Sequence, residues 1–201
     1  MSTVKALLFD LGGVVIDISF VSAFQHWSAL SPLSLENMQD RFQFDEVFQH
    51  FERGEIGEPT YFERLRKQLQ LTGSDDQIKQ GWNAIIRGQI SETLAVVQQA
   101  RQKLPCFAFS NTNETHITLL DRDYSDVLNT FDHVFLSSRI GMRKPEQAAF
   151  EFIAQSIDVP VHEILFFDDL AENVNGAKRA GLQTVLVQNP NDVRQALSAF
   201  I

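Results

Sequence analysis

Three sets of polar residues stand directly behind apolar runs: Asp10 behind Val4–Phe9, Ser110-Asn111-Thr112 behind Cys106–Phe109, and Asp168-Asp169 behind Ile164–Phe167. A single carboxylate after a strand is commonplace as a cap for the next helix. Carboxylates, a hydroxyl and an amide at several strand ends can instead meet in one crevice, because open α/β sheets bind ligands at the carboxyl ends of their strands. Asp10 with Asp168 and Asp169 would concentrate negative charge there, which is costly unless a cation neutralises it. Hard oxygen ligands suit Mg2+, which takes one or two carboxylates together with water and substrate phosphate. Lys144, just before Pro145 and the helix it opens, offers an ammonium group. Ser110, Asn111 and the amides after them lie at an expected helix N-terminus, a natural anion site. Cation, ammonium and donors together describe a phosphate pocket.

The elements that must position these groups can be read from hydrophobic patterning. Further apolar runs, Val134–Leu136 and Thr184–Val187, end in Ser137-Ser138 and Gln188-Asn189-Pro190. Near-continuous apolar strands are buried on both faces, as in a parallel sheet covered by helices. Phe150, Ile153 and Ile157 recur at helical spacing, and Asn173 to Ala180 reads as a helix stopped by Gly181. Strand and helix thus alternate from about residue 104 onward, which predicts an α/β fold: an open parallel sheet with helices on both faces. Residues 19–87 differ. Phe44, Val47, Phe48 and Phe51 form one helical stripe, Tyr61, Leu65 and Leu69 a second, and Ile78, Trp82, Ile85 and Ile86 a third, with no strand signal between them. The expected division is a core of residues 1–18 and 88–201, with a small all-helical cap, 19–87, inserted after the first strand. Within that cap Phe20, Phe24, Trp27, Phe44, Phe48 and His50 are candidates for approaching a substrate.

Composition narrows the function classes. The 201 residues carry 17 Lys+Arg against 26 Asp+Glu, a formal net charge of −9, which disfavours nucleic acid as a partner because phosphate backbones are held by clustered cations. With 44% apolar and 21% charged residues the chain reads as globular rather than disordered. No apolar stretch approaches the roughly 18 residues of a membrane span. Cys106 is the one cysteine, which excludes an internal disulfide and a cysteine-based zinc site, and its apolar setting predicts an inert buried thiol. The expected location is the cytoplasm, the expected ligand a small-molecule phosphoester, and no obligate protein partner is evident.

Leu7–Val14, Ser110-Asn111-Thr112, Arg143-Lys144-Pro145 and Phe166–Asp169 occur in the order and context of the haloacid dehalogenase-like hydrolase superfamily, which the chain resembles over nearly its whole length. Within it, Phe9–Gly12, Phe51–Ile56, Ser110–Asn113 and Gly141–Glu146 most resemble the small-capped group that contains an α-D-glucose-1-phosphate phosphatase. The resemblance implies that Asp10 is a nucleophile forming an aspartyl-phosphate. It further implies that Asp10, the Gly12 carbonyl and Asp168 hold Mg2+, that Ser110, Asn111 and Lys144 hold the phosphoryl oxygens, and that Asp169 and Asn173 support the metal or Lys144 from further out. One position departs from the superfamily's commonest pattern: Gly12 stands where most of its phosphatases carry a second Asp as general acid and base. A general acid is typically worth roughly 10²–10⁴-fold. An anomeric phosphate suits its loss, because its leaving oxygen needs less protonation. Two rival expectations follow, a metal-independent 2-haloacid dehalogenase and a catalytically weak phosphate-binding or regulatory protein.

Overall fold

The structure, a computed structural model, describes residues 3–201, so Met1 and Ser2 of the expected core segment lie outside the described residues. Five strands form a parallel sheet in the order β5-β4-β1-β6-β7: β1 (Ala6–Phe9), β4 (Cys106–Ser110), β5 (His133–Leu136), β6 (Ile164–Asp168) and β7 (Gln183–Leu186). Alternation along β1 explains its position. Leu7 and Phe9 enter one apolar cluster with Val97, Leu120 and Val193, whereas Ala6 and Leu8 enter another with Phe150, Ile153 and Ala177. Both faces are therefore buried, as the apolar runs demand. The chain runs from β1 outward through β4 to β5, then returns to place β6 on the other side of β1 and β7 beyond it. The direction of winding thus reverses at β1, and the crevice outside the carboxyl ends of β4, β1 and β6 is the switch point at which such sheets bind ligands.

The insert after β1 is not helical throughout. β2 (Ile16–Ile18) pairs antiparallel with β3 (Ile86–Gln89), with an irregularity between Asp17 and Ile18, and this ribbon closes the neck of the insert. The expected boundary at 87/88 therefore falls inside a strand, and Ile86, assigned to a helical stripe, pairs with Ile18. Between the two strands lie α1 (Phe20–Trp27), α2 (Leu35–Arg41), α3 (Glu46–Glu52), α4 (Glu58–Leu69) and α5 (Asp75–Asn83). They enclose an apolar cluster of their own around Trp27, Phe62, Leu65 and Trp82. Trp27, Phe24 and Phe48, named as candidate substrate neighbours, are buried in it. The helices of the core are α6 (Ser91–Ala100), α7 (Glu114–Asp123), α8 (Ser125–Leu128), α9 (Ser137–Ile140), α10 (Gln147–Ser156), α11 (Ala171–Ala180) and α12 (Pro190–Ala196). Among the described residues no helix is long and apolar enough to cross a membrane. Cys106 is buried, and burial together with the charge of Asp132 pushes its thiol up to about 12, in keeping with an inert side chain.

Cap and core meet through a small set of fixed contacts. Trp82 donates from Nε1 to Asn113 Oδ1 at 3.3 Å, and the His116 ring stacks on Trp82 at 5.1 Å between centroids with Nε2 at 2.9 Å from the Trp82 carbonyl. Burial there lowers the His116 imidazole from 6.5 to about 4, with the bond to the Trp82 carbonyl opposing. Because the folded state refuses a proton that the unfolded chain accepts below 6.5, stability is expected to fall as pH drops from 6.5 toward 4, by at most about 3 kcal/mol. Melting temperatures of the wild type and His116→Gln across that interval test this. The gap between them should shift steadily in favour of the variant as pH falls, and a constant gap would assign no such role to the imidazole.

Candidate active site

The ends of β1 and β6 bring Asp10 and Asp168 together around one ammonium. Lys144 is 1% exposed; its Nζ lies 2.7 Å from Asp10 Oδ1 and 2.8 Å from Asp168 Oδ2, with the Phe109 and Phe166 rings at 5.4 and 5.7 Å. Burial alone would lower the ammonium, but Asp10 and Asp168 hold it above its usual value. The cationic form is therefore the one the site maintains. Asp10 Oδ1 also accepts from the Leu11 amide at 2.7 Å. Both contacts fall on the same oxygen, Oδ1. Burial pushes the Asp10 carboxyl well above the ordinary carboxylate range against the opposing charge of Lys144, and Asp168 and Asp169 add to the rise.

Oxygens of Asp10, Asp168 and Asp169 lie within 4.8 Å of one another. Burial and the Asp168 charge also raise Asp169. One ammonium stands against three carboxylates, and the all-oxygen chemistry of the set fits Mg2+. A second observation agrees. Asn173, which could have been an exposed helix residue, is 2% exposed and donates from Nδ2 to both oxygens of Asp168 at 3.0 and 3.2 Å. Its Oδ1 is buried with no partner, an acceptor suited to water on an ion. Asp169 does not touch the Lys144 ammonium in the way its expected orienting role would require, since Nζ contacts Asp10 and Asp168. Instead it packs over the turn after β1. Gly13 has φ +75° there, and a Cβ on it would fall 2.2 Å from Asp169 Oδ2, so only glycine fits. Gly12 precedes that turn and pairs with Ile16. A Cβ on Gly12 would approach Ile18 Cδ1 at 3.0 Å.

The phosphate-side donors are arranged differently from expectation. Ser110 is buried at the end of β4 beside the Asp10 strand. The Asn111 side chain, however, clamps the Lys144 backbone: Nδ2 donates to the Lys144 carbonyl at 3.0 Å and Oδ1 accepts its amide at 2.9 Å. It positions the loop that delivers the ammonium. The Thr112 amide donates to Ser137 Oγ at 2.8 Å, and the His116 amide to the Asn113 cap at 3.1 Å, so the start of α7 offers an anion fewer free amides than the sequence suggests.

Two further contacts were not foreseen. The Ser137 hydroxyl, fully buried at the end of β5, donates to the Glu52 carbonyl at 2.6 Å. Arg143 Nε lies 2.8 Å from Glu52 Oε2, with the two side chains 13% and 8% exposed. The Ser137-Ser138 pair behind an apolar run was the available signal for the first. The second joins residues from two motifs that had been read separately. Gly54 lets the chain pass this seam, because a Cβ there would meet the Ser138 carbonyl oxygen at 2.4 Å. Breaking a buried pair strands a charge, so Arg143→Met is expected to destabilise the protein by about 3 kcal/mol. Glu52→Gln, whose side-chain oxygen can still accept from Arg143 Nε, should cost less. Chemical denaturation of both variants checks the order, and equal losses would contradict it.

Comparison with known proteins places the chain in a family. The family model for haloacid dehalogenase-like hydrolases matches residues 4–181. The chain is 28% identical to a D-ribitol-5-phosphate phosphatase of Bacteroides thetaiotaomicron, covering 98% of each, and 26% identical to a phosphatase of Mycobacterium tuberculosis, covering 97% of this chain and 92% of that one. A structure of a haloacid dehalogenase family enzyme from Bacteroides thetaiotaomicron, in complex with magnesium and inorganic phosphate, superposes with a TM-score of 0.76 at 26% identity over 90% of this chain and 92% of that one. The match over most of the chain, on a sheet whose strand ends carry the motif residues, makes this protein a haloacid dehalogenase-like hydrolase.

Proposed function

We propose that the chain is a magnesium-dependent phosphatase that hydrolyses a small sugar phosphate through an aspartyl-phosphate on Asp10, with α-D-glucose-1-phosphate as the first substrate to test. The observation that carries this reading is the Lys144 ammonium held between Asp10 and Asp168 at the switch point of the sheet. The phosphatase relatives and the neighbour solved with magnesium and phosphate support it. Asp10, the Gly12 carbonyl and Asp168 would hold Mg2+, with Asp169 and Asn173 ordering its water; the ion supplies charge neutralisation between a carboxylate nucleophile and an anionic ester. A carboxylate oxygen of Asp10 attacks phosphorus, and the bond to the leaving oxygen breaks with its electron pair. Lys144 and Ser110 stabilise the charge on the phosphoryl oxygens as they pass through the transition state. Water then attacks phosphorus and restores the Asp10 carboxylate, splitting one difficult displacement into two easier ones. Asn111 acts at one remove, by fixing the Lys144 backbone.

No carboxylate at position 12 can protonate the leaving oxygen, so esters of acidic hydroxyls, anomeric ones among them, fit this site best. The clustered carboxylates weigh against a metal-independent dehalogenase, which must accommodate a departing halide. A reducing cytoplasm suits a chain whose one thiol is buried and unpaired. Hydrolysis of a phosphoester panel with and without Mg2+ tests the reading. Turnover that needs Mg2+ supports it. Halide release without metal would favour the dehalogenase, and phosphate binding without turnover of any ester would favour a regulatory protein.

A further inference from the structure

A buried charge stands at the seam between cap and core. Glu52, the last residue of α3, is 6% exposed and accepts from Arg143 Nε at 2.8 Å. A buried ion pair seldom holds two surfaces together better than apolar side chains of the same volume, so such a pair is better suited to fixing geometry than to adhesion. Its neighbours show which geometry. Arg143 immediately precedes Lys144, whose ammonium bridges Asp10 and Asp168. The carbonyl of Glu52 accepts from Ser137 Oγ at 2.6 Å, and that oxygen accepts from the Thr112 amide at 2.8 Å. Thr112 lies in the same loop as Ser110 and Asn111, and Asn111 clamps the Lys144 backbone. Glu52, the loop after β4 and the loop of Lys144 thus close a triangle of contacts, with one corner in the cap and two in the core. The seat of Glu52 has no slack, because a Cβ on nearby Gly54 would fall 2.4 Å from the Ser138 carbonyl oxygen.

From this we infer that Glu52 is a positioning residue for phosphoryl transfer: through Arg143 it sets where the Lys144 ammonium stands, and through Ser137 it steadies the loop that carries Ser110. A guanidinium is planar and its Nε–H points in one direction, so the carboxylate that accepts from it fixes the Arg143 side chain and the start of the lysine loop. The ammonium must meet phosphoryl oxygens at hydrogen-bond distance, and a misplacement of about 1 Å can cost roughly 10²-fold in rate. By this route the end of α3 contributes to the chemical step without touching the substrate. The inference rests on the phosphatase reading and adds to it the requirement that this end of the cap be seated.

Two variants separate reach from charge. Glu52→Gln keeps the length and an acceptor oxygen but loses the charge, whereas Glu52→Asp keeps the charge and ends one methylene short of Arg143. For each, kcat and KM are measured with Mg2+ on the ester of the panel that the wild type turns over fastest, well below the variant's melting temperature. Inhibition by orthovanadate, a mimic of the phosphoryl transition state, is measured alongside. Glu52→Asp is expected to lower kcat about 10- to 30-fold with KM within about threefold, and to weaken vanadate by a similar factor. Glu52→Gln should stay within about threefold of the wild-type kcat. Arg143→Lys, which keeps the charge but loses the planar donor, reads the same link from the other side and should resemble Glu52→Asp. Arg53→Met removes a neighbouring contact across the seam, to Glu146, and should leave kcat within about twofold. Wild-type kcat in folded Glu52→Asp and Arg143→Lys would overturn the inference. So would an equal loss in Arg53→Met, or a greater loss in Glu52→Gln than in Glu52→Asp, since the pair would then only hold the cap or balance charge. Failure of the wild type to turn over any ester would instead overturn the phosphatase reading, and this inference with it.

Discussion

Asp10→Asn is expected to reduce phosphoester turnover by at least about 10³-fold while leaving the fold unchanged. The amide is the same size as the carboxylate, and its oxygen can still accept from the Leu11 amide and Lys144 Nζ, which now bond to Oδ1. What it lacks is an anionic oxygen able to bond to phosphorus. The structure makes a further demand on this variant. Burial raises the Asp10 carboxyl well above its usual range, so in the folded state the site pays to keep it ionised. Removing that charge should leave thermal stability equal or higher at neutral pH, even as activity disappears. The pairing of lost activity with undiminished melting temperature separates a nucleophile from a structural carboxylate. A variant that is merely unfolded, or one that retains activity, would contradict the assignment.

Lys144→Met is expected to fail in both respects. Methionine fills much of the lysine stem's volume between the Phe109 and Phe166 rings, but it leaves Asp10 and Asp168 buried beside each other without their common counter-ion. Stranding buried charge typically costs 3–5 kcal/mol, partly relieved here if the two carboxylates share a proton. Loss of a preorganised donor to the phosphoryl oxygens should lower kcat by about 10²–10³-fold. Added Mg2+ should restore part of the lost stability, because a cation can replace the missing ammonium between the carboxylates, and it should not restore the rate. Melting curves with and without Mg2+, read against single-turnover rates, make that distinction. Full recovery of turnover by metal would mean that Lys144 serves only to neutralise the cluster.

The central strands β1, β4 and β6 were legible because burial on both faces leaves an apolar run, and the strand-end residues followed from where those runs stop. The ribbon was not. Ile16-Asp17-Ile18 and Ile86-Arg87-Gly88-Gln89 are interrupted by polar residues and a glycine rather than forming apolar runs, and each becomes a strand only by pairing with the other across the whole insert. Phe44 shows a second limit. It shares the spacing of Val47, Phe48 and Phe51, but Asp45 caps α3 by accepting from the Phe48 amide at 3.0 Å, so the helix begins after Phe44 and leaves its ring outside. Cap formation, a local polar event, overrode a periodic signal. At the site, Asp10, Ser110, Lys144 and Asp168 could be named from strand ends and motif order. The clamp of Asn111 on the Lys144 backbone, and the pairing of Glu52 with Arg143, depend on tertiary approach between distant segments and have no local signature.

The most direct test of the mechanism is a rapid quench of enzyme mixed with excess phosphoester and Mg2+, followed by peptide mapping of the acid-stopped protein. A phosphoryl group on the peptide that contains Asp10, formed and lost at rates compatible with turnover and absent from Asp10→Asn, is the predicted result. Phosphate released at full rate with no phosphorylated protein at any quench time, or a phosphoryl group on another residue, would contradict nucleophilic catalysis by Asp10.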